Sequence, residues 1–540
     1  MSKETILKGL HELHDLMQWT GANVFKVRAF ERALTVLESE PHLLERIQNG
    51  TLSELEGIGK GIEETVRELF ETGTHTEIAR LKAELPEGFL ELIRVRGVGP
   101  KKVHALIEEL GVRNLAELEY ACRENRLKQL KGFGVKLQDR VLKEIEFLRL
   151  GEGQVRLDTA FSVAERVFEE VQKVVGEDRY VAETGMLRRR METLPAIEFL
   201  IEGEPSEVET LEQKVREAVE SPVPIRLLSA QKKNWGNEWF RTSTPEWMCE
   251  SLNSWKGASE EHEEKLFEAE GLPWIPPECR DDREALKLAR AGQVEHLMDS
   301  KSLNGVFHIH TTASDGANSL EEMVEAADHW GFEYIGISDH SVSAYYAQGL
   351  SKEALLKQKA EVDRLREQFP DVRIFWGIES DILADGALDY DPKTLALFDF
   401  VIASIHSRFQ MDSATMTERL IQAIRNPYTT MLGHPTGRLL LGRMPYAFDM
   451  ERVIREAAEH QVAIEINCNP SRMDLDWRNG PLVRETGCMV SLNPDAHAIE
   501  GLEDIRYGIA VARKAWIPRT QILNTKTAIE IEKWLTTRRH

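Results

Sequence analysis

Two histidines placed two residues apart, His308 and His310 in the apolar run VFHIH, constrain this chain more than any other feature. In a strand, residues i and i+2 share a face, so both imidazoles can reach one metal ion. Asp315 follows in a Ser-Asp-Gly turn, and His340 ends a second apolar stretch, YIGISDH. Neutral imidazoles and carboxylates suit Zn, Mn or Fe. Further ligands are expected downstream, each after a hydrophobic run of strand length. Glu379 closes RIFWGIES, His406 closes FVIASIH, His434 follows TTMLG, and Asp495 and His497 follow CMVSLNP. Helix-like stretches lie between several of these runs. That rhythm predicts a β/α barrel, in which functional side chains gather at the C-terminal ends of the strands.

Taken in order with their neighbours, these nine residues resemble the ligand set of a polymerase-and-histidinol-phosphatase (PHP) domain. The segments GIESDILADGALDYD, MTERLIQAI, GHPTGRLLL, EINCNPSRMDLDW and PDAH resemble the PHP region of bacterial family X DNA polymerases. The resemblance covers residues 304–540 and implies a distorted (β/α)7 barrel holding three divalent ions. Carried over residue by residue, it places His308, His310, Glu379 and Asp495 around one ion. Glu379, His406 and His434 hold a second, with the glutamate bridging, and Asp315, His340 and His497 hold the third. Asp339 is a candidate to orient a ligand. Arg438 and Arg443, in GRLLLGR, are candidates to clamp a substrate phosphate.

At 540 residues the chain is expected to hold several domains. With 68 Lys and Arg against 91 Asp and Glu, its net charge is -23. Such a chain is not an indiscriminate DNA coat, so nucleic-acid contact must be local. Five cysteines are scattered without a CxxC pair, which suits a reducing cytoplasm. The first residues, MSKETILKGLHELHDLM, have no apolar signal core, and no run is expected to span a bilayer.

Three short repeats mark the N-terminal part: LEGIGKGI at 55–62, VRGVGPKKV at 95–103 and LKGFGVKL at 130–137. Each pairs two glycines ahead of a helical stretch, whose free N–H groups can meet a phosphate. They resemble helix-hairpin-helix elements, which hold a DNA backbone with little regard to base sequence. Gly57, Gly59, Gly97, Gly99, Lys101, Gly132 and Gly134 are the candidate DNA-binding residues. The segment QWTGANVFKVRAFERALTVLES resembles the opening of the family X N-terminal domain. Thr65 stands where relatives able to remove a 5′ sugar-phosphate carry a Schiff-base lysine, and Thr cannot form an imine.

The following palm-like region departs from the family pattern where chemistry would occur. In TGMLRRRMETLPAIEFLIEG, Gly185, Arg188 and Arg189 match, but Met186 replaces a serine. Ala196 and Glu198 stand at two catalytic Asp positions, and Pro224 at the third. Two-metal phosphoryl transfer needs carboxylates there, so polymerisation is expected to be lost. The expected organisation is a multidomain α/β chain. A lyase-like helical domain spans 1–80, a fingers-like domain 81–150, a degenerate α+β nucleotidyltransferase-like palm 151–228 and a thumb-like region 229–285. A linker spans 286–303, ahead of the PHP domain at 304–540; the linker-like stretch around it begins at PWIPP, where Pro276 and Pro277 stiffen the chain. Trp235, Trp239, Trp247 and Trp255 in the thumb-like region can stack on bases or pack internally.

The resemblance implies a cytoplasmic, DNA-binding, metal-dependent phosphoesterase acting on DNA 3′ ends. Three alternatives remain open: a histidinol-phosphatase-like enzyme, a non-catalytic repair scaffold, and residual nucleotidyl transfer.

Overall fold

The computed structural model describes residues 3–40, 43–55, 57–95, 97–130, 132–149 and 153–537. One residue of each repeat, Glu56, Arg96 and Lys131, therefore lies outside the described residues. So do the expected boundary at 150/151 and the last residues of the expected PHP domain.

The chain forms two compact units, Met1–Asn114 and Leu115–His540. In the first, helices Lys3–Trp19, Val24–Ser39, Lys60–Thr72 and Thr76–Glu84 bury one core, including Leu10, Leu13, Leu37, Val66 and Leu69. Thr65 is buried and donates its hydroxyl to the Gly61 carbonyl at 2.8 Å, an internal helix contact. The repeats adopt one geometry. Gly57, Gly97 and Gly132 take φ of 95°, 90° and 89°, a region that favours glycine. The second glycine of each pair is different. Gly59 and Gly99 have ordinary φ of -88° and -80° as caps of Lys60–Thr72 and Pro100–Leu110. A side chain added at Gly59, Gly99 or Gly134 would meet nothing within 4 Å. The fold does not require those glycines, whereas a phosphate approaching the helix N-terminus does. Lys101 is exposed at the start of its helix.

The unit boundary at Asn114 falls inside the expected fingers-like region. Helix Leu115–Arg123 belongs with the second unit because Glu119 grips the buried Arg156 at 2.6 and 2.7 Å. There, β1 (Val155–Arg156) pairs antiparallel with β3 (Thr193–Leu194). The palm-like sheet has order β2 (Val181–Glu183), β4 (Ile197–Glu202), β5 (Ile225–Ala230). Ala196 lies just ahead of β4, and Pro224 accepts the Ile197 N–H at 2.9 Å. Glu198 faces Arg226 across the parallel β4–β5 pair, with the guanidinium 3.4 Å away. Arg188 is buried against Glu263 at 2.7 Å, and Arg189 pairs with Asp281 at 3.1 Å. The matching arginines hold the scaffold together. The tryptophans do likewise: Trp235 is buried, Trp239 donates to the Glu183 carbonyl and Trp255 to that of Cys249.

The C-terminal sheet is parallel throughout and runs in sequence order. Its strands are β6 (Gly305–Ile309), β7 (Tyr334–Ile337), β8 (Arg373–Asp381), β9 (Phe400–Ser404), β10 (Met431–Leu432), β11 (Ala463–Asn467) and β12 (Val490–Asn493). The two ends approach closure. The His310 N–H donates to the Ala496 carbonyl at 2.9 Å, and the Ala496 N–H to that of His308 at 3.2 Å. These strands are buried on both faces, which is why they read as unbroken apolar runs.

The expected linker is embedded rather than extended. Its Ala289 and Leu297, with Ile275, Cys279 and Ala285 just ahead of it, share a core with Trp516. Trp516 donates to the Cys279 carbonyl at 2.8 Å, and Arg513 binds Glu278 and the Met298 carbonyl at 2.6 Å each.

Candidate metal centre

All nine expected ligands converge at the C-terminal ends of the barrel strands. Glu379, on β8, stands at the centre. Its Oε1 lies 3.2 Å from His308 Nε2, 3.2 Å from His406 Nε2 and 3.0 Å from His434 Nε2. Its Oε2 lies 2.9 Å from His340 Nδ1 and 3.8 Å from His310 Nε2. Asp495 Oδ1 lies 3.1 Å from His310 Nε2 and 3.5 Å from His308 Nε2. Asp315 lies 3.5 Å from His497 Nε2 and 3.6 Å from His340 Nε2. By proximity the donors group differently from the expected sets: His310 joins Asp315, His340 and His497, His434 lies with His308 and Asp495, and His406 with Glu379 and His340.

The strand argument for the first two histidines needs a correction. His308 has φ of 62°, and the β6–β7 register shifts between Val306 and Ile309. The imidazoles meet, with centroids 5.2 Å apart, because of that irregularity rather than simple alternation. Asp495 is also left-handed, at φ of 54°. Such strained backbone clusters at functional sites.

Hydrogen-bond partners, two carboxylates outside the nine and one backbone carbonyl within them, fix three ligand orientations. Glu465 takes His308 Nδ1 at 2.5 Å, and its other oxygen accepts the His434 N–H at 2.5 Å. Asp381 takes His406 Nδ1 at 2.6 Å. The Asp495 carbonyl takes His497 Nδ1 at 3.0 Å. Each contact turns Nε2 inward, the usual arrangement behind a metal-binding histidine. Asp339 does not contact His340 in this way. It accepts from the Thr311 N–H and hydroxyl at 2.8 Å each, and from Ser314 and Gln358, so it shapes the loop bearing Asp315.

The donor set fits divalent cations. The ligands are almost fully buried, yet His308 Nε2, both His310 nitrogens, Asp315 Oδ2, Glu379 Oε2 and His497 Nε2 make no hydrogen bond of good geometry. Burial, reinforced by neighbouring His497 and His340, pushes His310 down to about 3. Burial likewise takes His434 down to about 4, leaving both imidazoles neutral donors. Burial also opposes charge on His406, but the Glu379 and Asp381 carboxylates outweigh it and raise His406 to about 10. That surplus of negative charge calls for cations. The donors are nitrogen and oxygen, suited to Zn, Mn or Fe; no cysteine joins them among the described residues.

Arg438 is corrected as a phosphate clamp. Its Nε donates to the Arg472 carbonyl at 2.9 Å, Nη1 binds Asp476 at 2.5 Å, and Nη2 donates to the Met473 carbonyl. Its nitrogens are spent on the 472–476 loop. Arg443 binds Glu117 at 3.1 Å and the Gly437 carbonyl at 2.9 Å. The guanidinium beside the ligands is Arg472, whose Nε is 3.9 Å from Asp495 Oδ2. Sequence reasoning missed Arg472, Asp381 and Glu465. Glu465 left a signal, an acid inside the buried strand AIEIN, which must have a partner there.

Glu465→Gln is expected to weaken metal affinity by roughly 10–100-fold while leaving all nine ligands in place. Chelator competition measures this; unchanged affinity would remove Glu465 from the design of the site.

Family models match a PHP domain at residues 307–469, a helix-hairpin-helix domain at 1–75 and a SAM-like helix-hairpin-helix tandem at 89–146. A protein of Bacillus subtilis (strain 168) named DNA polymerase/3′-5′ exonuclease PolX is 32% identical, covering 99% of this chain and 99% of its own length. A probable phosphatase of Caldicellulosiruptor saccharolyticus is 32% identical over 35% of this chain and 78% of its own length. A crystal structure of histidinol phosphate phosphatase from Lactococcus lactis subsp. lactis aligns with 39% of this chain and 93% of its own, at 17% identity and a TM-score of 0.30.

Proposed function

The chain belongs to the family X DNA polymerases that carry a PHP domain, and from that premise we propose that it trims DNA 3′ ends. It is a metal-dependent hydrolase, and the reading here is a 3′–5′ exonuclease or 3′-end processor whose polymerase activity has been lost. One observation carries this reading: a nine-residue donor set, eight of its members buried, coexists with a palm that has Ala196 and Pro224 where the family pattern has carboxylates.

We assign His308, His310, Glu379 and Asp495 to one ion, Glu379, His406 and His434 to a second, and Asp315, His340 and His497 to a third. Bound there, divalent ions supply Lewis-acid activation of water and neutralise phosphate charge. The chain's own groups do the rest. Glu465 and Asp381 hold the Nδ1 protons of His308 and His406, keeping each Nε2 available to a ligand. We assign Arg472, beside Asp495, to receive a non-bridging phosphate oxygen. Burial of the cluster strengthens each of these interactions.

The hairpins supply the substrate. Backbone amides at their helix N-termini favour phosphate over bases, so binding is expected to be insensitive to sequence and weakened by salt. Gly99→Val is expected to lower DNA affinity, measured by fluorescence anisotropy, without altering hydrolysis of a small phosphodiester. Equal DNA affinity would remove the hairpin from the interface.

The deciding experiment gives the metal-loaded full chain an end-labelled primer–template, with and without dNTPs, and histidinol phosphate separately. Progressive 3′ shortening is expected, with kcat/KM for DNA well above that for the small phosphate. Preference for histidinol phosphate would replace this reading with a small-molecule phosphatase.

A further inference from the structure

Helix Leu115–Arg123 lies outside the barrel in sequence, yet its far end enters the metal centre. Glu119 anchors it on buried Arg156, and Glu117 meets Arg443 at 3.1 Å. One turn on, Tyr120 Oη lies 3.4 Å from Asp495 Oδ2 and 3.2 Å from Arg472 Nε. The Arg472 guanidinium also stacks 4.4 Å from the Tyr120 ring. The helix then stops: the Glu124 N–H still bonds to the Tyr120 carbonyl at 3.0 Å, but Asn125 turns left-handed at φ of 56°.

Glu124 is thereby held inside the protein, 3% exposed. Its Oε2 lies 3.6 Å from Arg126. Its Oε1 is buried and makes no hydrogen bond, and it points at His497 Nε2, 3.9 Å away. His497 Nε2 makes no hydrogen bond either. Two donors bound to one ion at about 2.1 Å stand roughly 3–4 Å apart. Glu124, Asp495 and His497 offer three donor atoms within 4.8 Å of one another. His497 Nε2 thus stands between Asp315 Oδ1 at 3.5 Å and Glu124 Oε1 at 3.9 Å, and the buried Glu124 oxygen has no hydrogen-bond donor, a spacing that a shared cation explains.

We propose that Glu124 is a further ligand of the metal centre, supplied from outside the barrel on its Asp495–His497 side. The proposal rests on the cluster being a metal site. It makes one ion a tie between the helical segment and the barrel. The third hairpin, at 130–137, begins six residues after Glu124, so the same short segment carries a metal ligand and a DNA grip.

Thermal melting and chelator competition with Mn²⁺ or Zn²⁺ test it on the full chain. For Glu124→Gln, the metal-dependent rise in Tm is expected to fall by at least about half, with the affinity for one ion weakened roughly tenfold or more. Because Glu124 also faces Arg126 and His497, the variant's metal-free Tm is taken as its own baseline and the metal-dependent rise is read from it. A variant that melts lower without metal, yet keeps the full metal-dependent rise and affinity, would overturn the proposal and make Glu124 structural. Wild type showing no bound metal and no rise would instead defeat the reading of the cluster itself. Should the variant not fold, anomalous diffraction from metal-loaded wild-type crystals reads the contact directly. A carboxylate–metal distance of about 2.1 Å is expected, and one beyond about 3 Å overturns the proposal.

Discussion

His308→Ala combined with His310→Ala removes at least about a thousandfold of phosphoesterase activity, roughly 4 kcal/mol of transition-state stabilisation. The reason is the position of the two rings. Between them they reach Glu379, Asp495 and Asp315, and so border each expected ion. The substitutions leave a polar void rather than a collapsed core, because carboxylates line the other side. Circular dichroism is expected to show most of the secondary structure retained. The measurement is hydrolysis of a small phosphodiester alongside digestion of labelled DNA, with metal content determined on the same preparation. Full activity in the double variant would eliminate the metal mechanism, whatever the family relationship.

Templated DNA extension is expected to be undetectable at any Mg²⁺ or Mn²⁺ concentration. Ala196 and Pro224 offer no side-chain ligand, and Arg226 places a cation 3.4 Å from Glu198, where a metal would have to sit. The arginines that match the family pattern are no longer available either. Arg188 is locked with Glu263, whose carboxyl is held down at about 2 despite burial by Arg280 and Arg188. Restoring Asp at 196, 198 and 224 together is therefore expected to leave the protein inactive as a polymerase. Primer extension assays decide this. Extension by wild type that disappears in Glu198→Ala would show a working palm and overturn the assignment.

The barrel was legible in the sequence because six of its seven strands carry or lead into expected ligands within apolar runs, and the nine ligands meet. The hairpins were legible because glycine pairs before helices have few other uses. What escaped had physical reasons. The left-handed backbone at His308 leaves no trace in the strand pattern, since an imidazole at that position looks like any other. Arg438 carried the expected chemistry in the expected motif, but only the fold reveals that its donors are spent on backbone carbonyls. Tyr120 and Glu124 lie almost two hundred residues before the barrel, and no spacing rule connects them to Asp495. Asn114 divides the units inside a stretch whose composition does not change, because the helix after it is tied to the second unit by tertiary contacts of Glu117, Glu119 and Tyr120.

The embedded segment ahead of the barrel changes how this protein can be dissected. A cut at Asn304, where the resemblance to PHP domains begins, would pass through a folded seam. It would strip Trp516 of the Cys279 carbonyl, leave Arg513 without Glu278, and strand Lys514, 1% exposed, away from Asp281. The barrel's match to PHP domains begins at residue 307, while the core that holds Trp516 reaches back through Cys279 and Ile275 to Phe240 and Met248. A catalytic fragment that keeps this whole core keeps its apolar seam closed. One that begins at the homology boundary carries an open, sticky face, and any inactivity it shows would report on aggregation rather than on the chemistry of the metal centre.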